Sequence, residues 1–205
     1  STPMLNRRQR QMCIRDRFRT SGLLFAAQAA PTIDTPLRLR VSAVQTTCIA
    51  NESLNPSSRS MTITIKQPES PEEFKQYYNL RYRILRAPWG EPEGSEVDGI
   101  EDQCFHIMAL DQDKVVGVGR MQYNSANEAQ IRYMAIEKVY EGNGIGRMIV
   151  DLLEQEAKNR NINTVMLDAR EPAVGFYQRL GYSVAQKSYV LFDEIQHYRM
   201  TKHVG

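Results

Sequence analysis

Cysteine is scarce in this chain of 205 residues: Cys13, Cys48 and Cys104 stand at no metal-ligand spacing, and any pairing leaves one thiol over. That count argues against a disulfide framework or a cysteine zinc site and predicts a reduced, cytoplasmic setting. Long apolar runs are missing too. The nearest candidate, Gly22 to Ala30, falls well short of the ~20 residues a membrane-spanning helix needs, so no membrane partner is expected. Internal repeats are absent. Lysine is absent from the first 60 residues, which hold nine arginines against three acids, a net of +6. Residues 61–205 carry 17 basic and 21 acidic side chains, a net of −4. The body is therefore mildly acidic, the basic excess lies in the first 60 residues, and no nucleic-acid partner is expected.

What is present is ordinary globular material, 41% hydrophobic and 24% charged, enough for one domain and an appendage. The appendage is residues 1–60, which show no sustained helical or strand period. Three readings remain open for it: a transit peptide, an arm that binds a polyanion, or a non-native leader. The third fits best. The string Gln11-Met12-Cys13-Ile14-Arg15-Asp16-Arg17 resembles translated sequencing-adapter sequence, and Met61 opens a strand-like alternation. Residues 1–60 are accordingly expected to lie outside a fold formed by residues 61–205.

Within 61–205 the pattern predicts a strand at 62–66, then a helix from Pro71 to Arg86. Its start carries a capping serine, Ser70, proline in the first turn and the acids Glu72 and Glu73; Pro88 ends it. Strands over 104–110, 114–123 and 128–136, joined by short turns, predict an antiparallel meander. Ile145, Met148, Ile149, Leu152 and Leu153 mark one face of a helix over 144–160. A buried-type strand (164–168), a short helix (172–180) ending at Gly181 and strands at 182–185 and 195–202 complete the set. Strands first in a meander and later alternating with helices predict a mixed α/β domain.

Chemistry concentrates between residues 131 and 182. A strand runs into Glu141-Gly142-Asn143-Gly144-Ile145-Gly146 at a helix N-terminus. Glycines there let the backbone turn its N–H groups toward an anion, with the helix dipole behind them. A tight turn without a ligand is the competing reading. The lysine and Ser/Thr of a P-loop are missing, and Arg147 stands where the third glycine of a dinucleotide fingerprint would fall.

The block resembles the GNAT superfamily of acyl-CoA-dependent N-acyltransferases. Gly142 and Gly144 match that family's phosphate loop, and Ala173, Phe176, Tyr177, Gly181 and Tyr182 match its second signature. The segment from Arg81 to Gly90 is similar to a block of a little-characterised bacterial subgroup. The resemblance implies an α/β, GNAT-like fold with a central, mostly antiparallel, splayed sheet flanked by helices. It implies acetyl-CoA as acyl donor, with no metal, and an amine acceptor; a homodimer is left open. It also implies a coenzyme site formed by Met134, Ala135 and Ile136 on the splayed strand and by Glu141, Gly142, Asn143, Gly144, Ile145, Gly146 and Arg147 at the turn. Tyr177 becomes the general acid that protonates the departing thiolate.

Two departures from the family stand out. Glu141 replaces a glutamine or arginine, with Arg147 able to offset its charge. Gln130 stands where one branch has a glutamate base, so the base must lie elsewhere: His106, Glu101, Asp102 and His197 are candidates. In the loop after the first helix, Glu91, Glu93, Glu96 and Asp98 would suit a cationic acceptor, whereas Arg81, Arg83 and Arg86 would suit a carboxylate; solvated loop charge accounts for most of them. A non-catalytic acyl-CoA-binding sensor is the alternative to the enzyme.

Overall fold

The computed structural model describes residues 62–205 together with the backbone of 44–47, all within one compact unit spanning 40–205. Eight strands form one sheet: β1 (Val44–Thr47), β2 (Thr62–Lys66), β3 (Phe105–Asp111), β4 (Lys114–Tyr123), β5 (Glu128–Ile136), β6 (Thr164–Arg170), β7 (Ser183–Leu191) and β8 (Ile195–His203). Their order is β1-β2-β3-β4-β5-β6-β8-β7, and β5–β6 is the parallel pair. Among the described residues, three α-helices flank the sheet: α1 (Pro71–Leu85), α2 (Ile145–Asn159) and α3 (Val174–Arg179). Among the described residues, no helix is long and apolar enough to cross a membrane. The leader expectation falls mostly outside the described residues. Its one described stretch, β1, pairs antiparallel with β2.

Local sequence explains the helices. Ser70 and Glu73 form a reciprocal capping box, with Glu73 N donating to Ser70 Oγ at 3.2 Å and Ser70 N to Glu73 Oε2 at 3.3 Å. The α2 helix buries Ile145, Ile149, Leu153 and Ala157, spaced by four, with Val150 beside them. These residues pack against Ile107, Ala109, Val116 and Ile131 in the main core. On the opposite sheet face, Tyr77 and Leu80 of α1 close a second core with Met108, Val118 and Ala135. Helices thus cover both faces of a mixed sheet, as the α/β reading requires.

One irregularity decides where a site can form. The β4–β5 register slips between Val118 and Arg120: Val118 faces Ala135 while Arg120 faces Arg132, so Tyr133 and Met134 together oppose Gly119. This is a β-bulge, with Tyr133 at φ +54°. The extra residue shifts the alternation. Ile131 and Met134, three positions apart, both face the main core, and Ala135 faces the other. Beyond the bulge β5 leaves its neighbour. Its ladder with β6 ends at Ile131–Leu167, so residues 132–136 have no pairing on that edge. Meanwhile β6 continues to Arg170 along β8. The sheet opens into a V between β5 and β6.

Candidate active site

The V holds a cleft of about 760 Å³. Its walls are Gln130 to Ile136 of β5, Leu167 to Arg170 of β6, the turn around Gly142 and Gly144, Phe176 and Tyr177 of α3, and Ile84 to Arg86 at the end of α1. Tyr189 and His197 close it from the far strands. Of the predicted coenzyme residues, Met134, Ala135, Ile136, Glu141, Gly142, Gly144, Ile145, Gly146 and Arg147 line this cleft. Asn143 does not; its side-chain amide turns back to Glu141 O at 3.3 Å.

The turn is built for exposed amides. Gly142 and Gly144 sit at φ +79° and +81°, and a Cβ on either would meet nothing within 4 Å. Backbone conformation, not space, calls for glycine at both. Gly144 caps α2, and no described residue accepts a hydrogen bond from the backbone N–H groups of residues 142–147. Five of these six residues, Asn143 excepted, line the cleft, and the positive end of a 15-residue helix lies at the same place. Gly146 serves a different need: a Cβ there would press Phe176 Cζ at 3.2 Å. Arg147 is exposed and only loosely paired with Asp151, at 3.6 Å.

Tyr177 is buried to 7% exposure, yet its ring lines the cleft and its hydroxyl makes no hydrogen bond to a described residue. Phe176 and Tyr182 hold the ring edge-on, at 4.9 and 5.7 Å between centroids. Burial pushes its pKa well above the usual 10, so the phenol stays protonated and can donate.

The base candidates separate. His106 is a correction to the sequence reading. It lies away from the cleft walls, buried under α1, with its ring edge-on to Phe74 and Tyr77 and Nε2 hydrogen-bonded to Glu101 O at 2.9 Å. Asp102 does not line the cleft, and Glu101 is held by two arginines instead. His197 does line it. Its Nδ1 meets Ile195 O at 3.0 Å, and a carbonyl only accepts, so Nδ1 carries the proton and Nε2 keeps its lone pair. Tyr189 stacks on the ring at 4.6 Å, and burial pushes the pKa below 6.5. Gln130 holds the position expected for a base in one family branch; it receives from Gln122 at 3.3 Å and donates to Asp168 at 3.2 Å.

Of the loop charges, Arg81 is fully buried and bidentate on Glu101, at 2.9 and 3.0 Å, and Arg83 pairs with Glu137 at 2.6 Å. Arg86 alone of the three lines the cleft. Asp168 and Arg170 also line it, though the strand reading ends at Asp168. The polar–apolar–polar run Asp168-Ala169-Arg170 was the signal that the strand continues. Among the described residues, no cluster of His, Cys, Asp and Glu could hold a metal ion.

A model of the acetyltransferase (GNAT) family matches residues 74–182. A Bacillus subtilis (strain 168) protein named as a presumed acetyltransferase is 31% identical over 143 residues, covering 68% of this chain and 96% of the relative. Among solved structures, a presumed N-acetyltransferase from Lactobacillus plantarum superposes with a TM-score of 0.62 at 23% identity, over 70% of this chain and 99% of that one. An aminoglycoside 6'-N-acetyltransferase complexed with coenzyme A gives 0.60 at 18% identity, over 69% and 97%.

Proposed function

This chain belongs to the acetyltransferase (GNAT) family, and on that premise we propose that it moves an acetyl group from acetyl-CoA to a primary amine by direct attack. The observation that carries this reading is the run of backbone amides from residue 142 to 147 with no acceptor among the described residues, five of whose six residues line the V. A diphosphate is the group such a nest suits, because it takes several N–H donors and benefits from the helix dipole. The unpaired edge of β5 at Met134, Ala135 and Ile136 would hold the coenzyme's amide-bearing arm, as an added strand pairs with a sheet edge. Arg147 and Arg179 line the cleft and would supplement the turn electrostatically against Glu141.

In this reading His197 Nε2 accepts a proton from the incoming ammonium. The free amine then forms the C–N bond at the thioester carbonyl, the C–S bond breaks as Tyr177 protonates the departing sulfur, and the surplus proton on the new amide nitrogen returns to the Tyr177 phenolate. Holding both reactants in one cleft would contribute much of the rate, since orientation alone can be worth roughly 7–11 kcal/mol.

Calorimetric titration with acetyl-CoA, followed by thiol release across an amine panel, tests the proposal. Stoichiometric binding and amine-dependent thiol release are expected. Binding without turnover of any amine would favour the non-catalytic sensor; no binding would contradict both.

A further inference from the structure

On the α1 face of the sheet the charges of the cleft do not balance. Alternation along β6 assigns Asp168 and Arg170 to this face, because Val165, Leu167 and Ala169 belong to the core under α2. His197 is the cross-strand partner of Arg170 and shares the face. Arg86 enters from the end of α1. The acids within reach are already engaged. Asp168 accepts from Arg199 at 3.3 and 3.5 Å and from Gln130 at 3.2 Å. Glu96 is buried and turned onto Gly94 N at 2.8 Å, and Asp98 is held by Arg120 at 2.7 and 2.9 Å.

The two arginines lack such partners. Arg170 makes no hydrogen bond or ion pair with any described residue. Arg86 donates its Nε to Ser95 O at 3.1 Å and lies 5.7 and 5.9 Å from the Tyr133 and Phe192 ring centroids, while its two terminal nitrogens make no hydrogen bond or ion pair among the described residues. Burial first, and then the Arg86 charge, push the Arg170 pKa down. Both guanidiniums line the same cleft, and the carboxylate of Asp168 beside them is committed to Arg199 and Gln130.

Resting on the acetyl-transfer reading, we infer that Arg86 and Arg170 bind a carboxylate of the acceptor, so that the amine acetylated is one that also carries an acid group. A guanidinium offers paired N–H donors that match a carboxylate in one plane, and an anion between two of them relieves their repulsion. The neighbours agree. Arg170 and His197 are cross-strand partners, so their side chains start ~5 Å apart. The acid grip and the base therefore lie side by side, which suits a small amino acid whose two groups are separated by a few bonds. Of the two carboxylates that line the cleft, Asp168 is committed and Glu141 stands at the turn assigned to the coenzyme, so a polyamine is the poorer fit.

Kinetics with acetyl-CoA and a panel of α- and short ω-amino acids decide the matter, each acid set against its primary amide, the matching diamine and the matching phosphate monoester. The acids are expected to exceed their amides in kcat/KM by about 10- to 100-fold, the range for a hydrogen-bonded charge pair. Arg86→Ala and Arg170→Ala should each pull that acid-to-amide ratio toward unity through KM for the acceptor. Wild-type ratios decide the outcome even if a variant fails to fold. Amides, diamines or phosphate monoesters that match or outrun the acids overturn the carboxylate assignment while leaving acetyl transfer intact. Intact acetyl-CoA binding with no turnover of any amine overturns the underlying reading, and this inference with it.

Discussion

Tyr177 and His197 line the cleft from different elements, and the surroundings of each suit the direction of proton transfer proposed for it. Nothing but burial raises the Tyr177 pKa, so the phenol holds its proton near neutral pH, as the proposed general acid must. Tyr177→Phe should lower kcat by about 10²- to 10⁴-fold with acetyl-CoA affinity nearly unchanged. Unchanged turnover would remove Tyr177 from the mechanism. For His197, burial outweighs the opposing effect of its hydrogen bond to Ile195 and holds the pKa below 6.5, which leaves the imidazole neutral at pH 7. The acid limb of kcat/KM should therefore have its midpoint below pH 6.5, and His197→Gln should abolish that limb as well as slow the reaction. A limb that persists in the variant assigns it to another group.

Among the elements, the approach of α2 to β4 controls where the amide nest sits. Gly119 lies under the helix, and a Cβ there would meet Ile149 Cγ2 and Met134 Sδ, each at 2.7 Å. Gly119→Ala should destabilise the fold by about 1–3 kcal/mol in urea unfolding, as overpacking does. It should also weaken acetyl-CoA binding, because a displaced α2 carries the turn with it; an unaltered urea midpoint would mean that the helix yields freely. Much at this scale was legible in the sequence. The Ser70 cap, the Ile145–Ile149–Leu153 stripe and the Gly142-Asn143-Gly144 turn are local signals, and each element forms where its signal stands. The bulge at Tyr133 was not legible, since it arises from register with β4 and from aromatic–arginine contacts brought together by the fold. Strand β7 reaches Leu191 instead of stopping at residue 185, because an exposed strand with shifts in its pairing lacks clean alternation. His106 reads as a base in sequence, but only packing shows that α1 covers it.

Across the whole molecule, a buried ion network ties the loop after α1 to the mouth of the V. Arg81 and Arg120, both fully buried, share Glu101, while Arg120 also grips Asp98. The centroid of the Tyr133 ring lies 3.7 Å from the Arg81 guanidinium carbon and 4.7 Å from that of Arg120, so the side chain of the bulged residue packs on this network. The hydrogen bonds from Arg120 lower the Asp98 pKa from 3.8 to about 2. A depressed carboxylate stabilises the fold above its unfolded pKa and loses that contribution as pH falls, here between about 4 and 2. Asp98→Asn should therefore be less stable than the parent at pH 7 and should lose less stability over that acid window; equal slopes would show that the pair contributes nothing. Placement of the coenzyme at the mouth of α2 is the claim on which the rest depends, and amide chemical-shift mapping of the 23.5 kDa chain during a coenzyme A titration tests it most directly. The account predicts that the largest perturbations fall on the N–H groups of residues 142–147 and on the open edge of β5. Saturable binding that leaves those amides unmoved would contradict it.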